Sequence, residues 1–179
     1  MSRRPLIFPT LLVTFLTWSV ASAAGQGLSV GTPAPDFKLR DLNGKEFKSS
    51  QLKASIVVLD LWATWCEPCV ADIPIFNRLH EKFANRGVKI VGVAVQSGWA
   101  NDIKPHVARH AIEYTVLVGN EKIVEMYRMI GFPTTYLIGK DGKILKKYIG
   151  TAPDTEAEKE ADLNHEIEML VDRGSLRAK

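Results

Sequence analysis

A strand–helix–strand pattern with two cysteines at its first junction constrains this chain of 179 residues more than any other feature. The apolar run Ile56 to Leu61 predicts a buried strand, and apolar residues then recur at helical spacing from Val70 to Phe83. Val88 to Val95 is almost entirely apolar and mostly β-branched, which predicts a second buried strand. The three segments form a βαβ unit, so the two strands are expected to be parallel in one sheet. Cys66 and Cys69 lie where the first strand passes into the helix.

Two turn dipeptides predict hairpins on either side of this unit. Asn43-Gly44 separates strand-like residues 37–42 from 45–47, and Asp141-Gly142 separates 133–138 from 143–149. Residues 96–130 between them predict a helix around 103–110, a short strand over 114–118 and a helix capped near Asn120 with Val124 and Tyr127 inward. A last helix is predicted from Thr155, in a capping box with Glu158, to Gly174. Its expected inward stripe is Ala157, Ala161, Ile167, Leu170 and Val171.

The first residues have the layout of a secretory signal. Arg3 and Arg4 precede an apolar run, and an Ala-x-Ala cleavage site ends at Ala23. An uncleaved membrane anchor is the alternative, because the apolar run approaches the roughly 20 residues that span a bilayer. We therefore divide the chain into a signal peptide or anchor (1–23), a linker (24–36), one domain (37–174) and a tail (175–179). Export implies an oxidising compartment, most simply a bacterial periplasm.

The net charge argues against one class of function, and the cysteine spacing favours another. Without residues 1–23 the chain has 21 basic and 20 acidic residues, a net charge of +1, which does not indicate a nucleic-acid surface. A disulfide between residues only three apart restricts the unfolded chain little, so its structural value is low. The Cys66–Cys69 pair is therefore predicted to be a redox dithiol.

The position of each cysteine predicts its role. Cys66 begins the helix, where free backbone N–H groups stabilise a thiolate, and Pro68 suits the first helical turn. Cys69, one turn on, can resolve a mixed disulfide held by Cys66. Glu67 adds a negative charge that is expected to hold the pKa of Cys66 up and to favour reduction over oxidation of substrates.

A metal site is the main alternative for a Cys-x-x-Cys pair. Zinc needs two further ligands, and no other cysteine is present. His106 and His110 are four residues apart on a predicted helix, but an exposed polar face is the better reading of that pair. We expect no metal and no cofactor beyond the cysteine pair itself.

The segment Val58 to Cys69, the helix proline Pro74 and Gly131-Phe132-Pro133-Thr134-Thr135 together resemble the thioredoxin superfamily. Within it the chain is most similar to exported TlpA/ResA-like thiol-disulfide oxidoreductases, over roughly Val30 to Val171. The resemblance implies a thioredoxin-like α/β fold, with a central mixed β-sheet flanked by helices, an N-terminal β-hairpin and a central insertion.

The same resemblance implies the roles of residues around the dithiol. Pro133 is expected to be cis, with the Phe132 backbone available to an extended substrate, although the residues alone leave a trans proline open. Trp65 is expected to form a partly exposed wall for substrate, whereas Trp62 belongs in the core. The implied substrate-binding residues are Trp65, Pro68, Phe132, Pro133 and Thr134.

Two carboxylates are candidates to accept the proton of Cys69. Asp60 occupies the position of thioredoxin's buried acid, and Asp72 matches the acidic position three residues after the second cysteine in ResA-like proteins. Either one, if buried near Cys69, would have a raised pKa. Asp72 could instead be an exposed helix residue, which is the commoner situation for an aspartate.

These observations predict a periplasmic oxidoreductase that reduces protein disulfides, of the cytochrome c maturation or copper-site assembly type. Its implied partners are protein thiol or disulfide substrates and a membrane electron donor, with no nucleic acid. One alternative is a thiol peroxidase, but that class places a threonine three residues before its cysteine, where this chain has Ala63. The other is a copper-binding assembly factor, which in related folds uses two cysteines with three residues between them and a distant histidine, whereas here two residues lie between the cysteines.

Overall fold

The computed structural model describes residues 27–53, 55–150 and 156–176, which form one mixed sheet with helices on both faces. The strands are β1 (Lys38–Asp41), β2 (Glu46–Lys48), β3 (Ile56–Trp62), β4 (Val88–Ala94), β5 (Thr115–Val118), β6 (Thr134–Ile138) and β7 (Ile144–Ile149). The helices are α1 (Glu67–Phe83), α2 (Ala100–Arg109), α3 (Glu121–Met126) and α4 (Glu156–Leu176). Short 3₁₀ turns cover Ser49–Leu52 and Ala84–Arg86.

The sheet confirms the predicted fold class. Its strand order is β2-β1-β5-β4-β3-β6-β7, in which β3 lies between the parallel β4 and the antiparallel β6. The predicted βαβ unit is β3-α1-β4, and β5 adds a third parallel strand from the central insertion. Because β3, β4 and β5 are parallel, the loops that follow them all emerge at one edge of the sheet.

Successive side chains of the central strands point to opposite faces of the sheet, so the core consists of two clusters, one on each face. One face of β3 carries Ile56, Val58 and Trp62, which pack in a cluster with apolar residues of α1, α2 and α4. Val57, Leu59 and Leu61 point the other way, into a cluster that includes Ile123 of α3 and Tyr127 just after it. All seven residues of β3 are buried, so its one charged residue, Asp60, lies inside the protein.

Both predicted hairpins form, and the insertion agrees with prediction in outline. α2 begins at Ala100, three residues before the predicted start, with the Trp99 N–H donating to the Asp102 carboxylate. Asn120 caps α3 as predicted, since its side chain accepts the Ile123 N–H. The buried residue of α3 is Ile123, whereas Val124 is only partly buried.

The stripe predicted for α4 is wrong in its first half. Ala157 and Ala161 are exposed, and the buried face is Lys159, Leu163, Ile167 and Val171, with Leu170 partly buried. The predicted stripe used apolar residues only, whereas the buried face of α4 begins with Lys159, a residue type that usually faces solvent. Thr155, the predicted cap, lies outside the described residues.

The end of the predicted linker contacts the second hairpin. The Gly31 N–H donates to the Ile144 carbonyl, and the Ile144 N–H donates to the Thr32 carbonyl. Ala34 donates to Gly142 in the same way. The predicted signal or anchor, residues 1–23, lies outside the described residues; within the described ones no helix is long and apolar enough to cross a membrane.

Candidate active site

The dithiol lies at the junction of β3 and α1, where both cysteines are buried. Cys66 is the N-cap of α1, and Cys69 lies in its first turn, joined to Cys66 by a disulfide with 5.2 Å between the Cα atoms. The Cys69 N–H donates to the Cys66 sulfur at 3.2 Å. The sulfur of Cys66 thus accepts one of the N–H groups that a helix start leaves without an internal partner. Cys66 is 5% exposed and Cys69 only 1%, so Cys66 is the more accessible of the two.

An aromatic wall stands beside the dithiol. Trp65 is 62% exposed, and its ring meets the edge of Phe132 at 4.9 Å between centroids. The Trp65 indole N–H donates to the Gln96 carbonyl at 2.9 Å, and the Thr64 N–H donates to the Ser97 hydroxyl at 2.9 Å. The loop after β4 therefore holds the loop after β3 in place. Trp62 is in the core as predicted.

The Phe132–Pro133 peptide bond is cis, as the resemblance implies. Pro133 and Thr134 are buried, and the Thr134 hydroxyl donates to the Gly131 carbonyl at 2.7 Å. Thr134 begins β6 and pairs with Leu61 near the end of β3, which places Pro133 at the edge of the sheet from which Cys66 emerges. Phe132 is partly buried, and none of the turn and loop backbone hydrogen bonds among the described residues involves it.

Three charged residues are buried on the α1 side of the sheet. Asp60, Asp72 and Lys159 are 1%, 5% and 3% exposed. The Lys159 ammonium lies 2.6 Å from a carboxylate oxygen of Asp72, and the Thr135 hydroxyl donates to Asp60 at 2.7 Å. Asp72 is therefore not the exposed helix residue that was left open as an alternative. It belongs to a buried ionic cluster that joins β3, α1 and α4.

Burial raises the pKa of Asp60 from 3.8 to about 7. The Lys159 ammonium and the hydrogen bond from Thr135 oppose this rise, while the charge of Asp72 adds to it. Burial also raises the pKa of the Tyr114 phenol well above 10, with the charges of Asp60 and Asp72 acting in the same direction. The tyrosine thus stays neutral where Asp60 titrates.

The structure places Cys66 and Pro133 at one edge of the sheet, with Glu67 and Pro68 exposed in the first turn of α1. Asp60 and Asp72 lie in the buried interior instead. Sequence reasoning missed Lys159 and Thr135. A signal for Lys159 was present, because it lies four and eight residues before Leu163 and Ile167 and so continues an apolar helical stripe. His106 and His110 lie with ring centroids 4.4 Å apart on α2, and no group of three possible metal ligands occurs among the described residues.

Comparison with known proteins agrees with this geometry. A family model described as the AhpC/TSA family matches residues 30–147. The chain belongs to this family. It is 31% identical over 159 residues to the thiol-disulfide oxidoreductase ResA of Bacillus anthracis, covering 84% of this chain and 91% of that protein. It is also 31% identical to ResA of Bacillus subtilis, with 79% of each chain covered.

Solved structures give the same result. A protein described as a thiol:disulfide interchange protein DsbE from Chlorobium tepidum is 30% identical, with a TM-score of 0.72, covering 80% of this chain and 99% of that one. A second thiol:disulfide interchange protein of that organism, of the thioredoxin family, is 27% identical with a TM-score of 0.67. The chain is therefore a thiol-disulfide oxidoreductase with a thioredoxin-like fold, and the predicted family and enzyme class are confirmed.

The raised pKa of Asp60 predicts that the free energy of unfolding decreases as the pH rises. The pKa of Asp60 is 3.8 in the unfolded chain and about 7 in the native state. Between these two pH values the native state therefore binds more protons than the unfolded chain. The contribution of Asp60 is thus fully favourable below about pH 4 and is lost as the pH rises through 7. We expect Asp60→Asn, which keeps an oxygen for Thr135, to match the wild type near pH 4 and to be more stable at pH 8, by up to about 4 kcal/mol.

Urea unfolding of the disulfide-bonded protein at both pH values measures this difference. Asp172→Asn is the control, because Asp172 pairs with Arg86 at the surface and such pairs contribute about 1 kcal/mol at most. A stability difference for Asp60→Asn that is the same at pH 4 and pH 8 would contradict the expectation.

Proposed function

We propose that the protein is an exported reductant of protein disulfides that works in a bacterial periplasm, on clients of the cytochrome c maturation or copper-site assembly type. The observation that carries the proposal is the asymmetry of the dithiol. Cys66 caps α1 and its sulfur accepts a backbone N–H, whereas Cys69 lies inside the first turn and is the less exposed of the two. This arrangement suits one attacking and one resolving cysteine.

In the first step the Cys66 thiolate attacks one sulfur of a client disulfide. A new bond forms between Cys66 and the client, and the second client sulfur leaves as a thiolate. The helix N-terminus favours the thiolate of Cys66 because unpaired N–H groups and the helix dipole point toward it. Glu67, exposed in the next position, limits this stabilisation, which favours a reducing rather than a strongly oxidising dithiol.

In the second step Cys69 resolves the mixed disulfide. Its thiol gives a proton to a buried carboxylate, Asp60 or Asp72, and the resulting thiolate attacks the Cys66 sulfur. The Cys66–Cys69 disulfide forms, the bond between Cys66 and the client breaks, and the client leaves as a second thiolate. Two electrons pass from the dithiol to the client disulfide. The oxidised enzyme must then be reduced again, which implies a membrane electron donor.

The surface beside Cys66 supports an extended polypeptide as substrate. The exposed Trp65 packs against the partly buried Phe132, and we expect the Phe132 backbone to pair with a strand of the client. Pro133 and Thr134, which follow Phe132, are buried, and Pro68 is exposed in the first turn of α1. A protein segment in extended conformation would thus place its disulfide over Cys66.

Trapping tests the assignment of the two cysteines. Reduced Cys69→Ser, mixed with the disulfide-bonded probe protein insulin, is expected to accumulate a covalent adduct at Cys66 that dithiothreitol releases. Cys66→Ser is expected to form far less, because Cys69 is the more deeply buried of the two cysteines and lies inside the first turn of α1. Both variants should lose insulin reduction by about a hundredfold or more relative to wild type. Adducts formed equally by both variants would contradict the asymmetry, and no insulin reduction by wild type would contradict the proposed function.

Export and cleavage predict a new N-terminus at Ala24, after the Ala-x-Ala sequence that ends at Ala23. Expression of the full chain in a Gram-negative host, followed by cell fractionation and N-terminal sequencing, measures this. Protein in the periplasmic fraction that begins at Ala24 supports a cleaved signal. Membrane-bound protein with its first residues intact would support the anchor instead, and protein found only in the cytoplasm would contradict export.

A further inference from the structure

The buried ammonium group of Lys159 is the feature that the proposed reaction leaves unexplained. α4 carries Lys159 into the space beside α1 and β3, where its Nζ lies 2.6 Å from Asp72 and 5.4 Å from the centre of the Phe76 ring. Burying a lysine costs free energy that a single ion pair often only offsets, so such a pair is weak evidence for a role in stability. A residue of this kind at the base of a redox dithiol calls for a chemical explanation.

Asp60 and Asp72 interact differently with the Lys159 ammonium. Asp72 is in direct contact with it, whereas Asp60 accepts a hydrogen bond from the neutral Thr135 hydroxyl. No lysine, arginine or histidine nitrogen among the described residues lies within ion-pair distance of Asp60. Two carboxylates that share a buried site do not ionise independently, and the one that is not in contact with the cation retains its proton to higher pH.

We propose that Lys159 is a positioning residue of the redox reaction, which holds Asp72 in its charged form and thereby leaves Asp60 as the carboxylate that accepts the proton of Cys69. The reacting atoms are those of the resolving step: the proton moves from the Cys69 sulfur to an Asp60 oxygen, and the sulfur then attacks Cys66. Lys159 touches neither cysteine in this role and acts through Asp72. The inference deepens the proposed function and rests on it for its catalytic consequence.

Several elements contribute titratable side chains around the cluster of Asp60, Asp72 and Lys159. α1 contributes Asp72 and the two cysteines, β3 contributes Asp60, and α4 contributes Lys159. Tyr114, next to β5, is close enough for both aspartates to raise the pKa of its phenol, and it stays neutral. Tyr148 of β7, paired with Thr135, donates its hydroxyl to Asp162 at 2.6 Å. Among the described residues, the ionisable groups of the cluster are therefore the two aspartates and Lys159, with the cysteines at the start of α1.

Two substitutions are expected to move the titration of Asp60 in opposite directions. Lys159→Gln removes the cation and leaves two carboxylates together, so the midpoint of Asp60 should rise by about one pH unit or more. Asp72→Asn removes the like charge and leaves the ammonium to Asp60, so the midpoint should fall by a similar amount. The pH below which the rate of thiol–disulfide exchange with glutathione disulfide falls should shift in the same direction as the Asp60 midpoint. At pH 7 the Lys159→Gln variant should therefore exchange more slowly than the wild type, by up to about tenfold.

The experiment follows the side-chain carboxyl carbons of ¹³C-labelled aspartate by NMR from pH 4 to 10 in the reduced protein, with Asp60→Asn to assign the signal. Lys82→Gln is the matched control, because Lys82 pairs with Glu168 and so joins α1 to α4 at the surface rather than in the core. It should leave the Asp60 midpoint unchanged. If Lys159→Gln does not fold, Lys159→Met fills a similar volume without a polar head group and carries the same expectation.

Opposite shifts in the Lys159 and Asp72 variants support the inference. Shifts of less than about half a pH unit, or shifts in the same direction, would overturn it, because a purely structural lysine changes stability without moving the titration. An Asp72 signal that titrates near pH 7 in the wild type, with Asp60 charged throughout, would also overturn it. The titration uses no substrate, so a wild type without exchange activity would refute the proposed function and leave this test intact.

Discussion

The N-terminus of α1 must meet the end of β3, and most of the site follows from that constraint. β3 is buried along its whole length between β4 and β6, so it fixes where the chain emerges at the edge of the sheet. Four residues later Cys66 caps the helix and receives the N–H of Cys69. Because β4 is parallel to β3, the loop that follows it emerges at the same edge and secures Trp65 through Gln96. The antiparallel β6 brings Pro133 to that edge from the opposite direction.

The same packing buries two carboxylates, Asp60 and Asp72, in the core near the start of α1. A charged residue on the helix-covered face of β3 has no access to water, and Asp72 points into the same region from α1. α4 supplies the single ammonium that this region contains among the described residues, and surface contacts such as Arg78 with Glu160 hold the helix in place. The free energy spent on burying these groups shifts the titration of Asp60 into the range where thiols exchange protons. Under the proposed mechanism, stability and redox chemistry are linked through this one cluster.

The sequence predicted the parts of the molecule that depend on local patterns. The βαβ unit follows from apolar periodicity, the hairpins follow from Asn43-Gly44 and Asp141-Gly142, and the dithiol follows from its place between strand and helix. The burial of Lys159 could not be read with the usual rule that lysines face solvent, and the error in α4 followed from it. The burial of Asp72 depends on the same contact, since residues 87 positions apart become neighbours only in the fold. Local pattern located the cysteines, whereas the charges that tune them needed tertiary structure.

The central claim is that the Cys66–Cys69 pair donates electrons to client disulfides, and its reduction potential tests that claim most directly. The protein without residues 1–23 would be equilibrated in thiol redox buffers of known potential, and the fraction of disulfide would be measured at each. A value near that of thioredoxin, about −270 mV, is what this account predicts for a reductant that depends on a membrane electron donor. A value near −120 mV, as in the strong oxidant DsbA, would contradict it and would mean that the protein oxidises its clients.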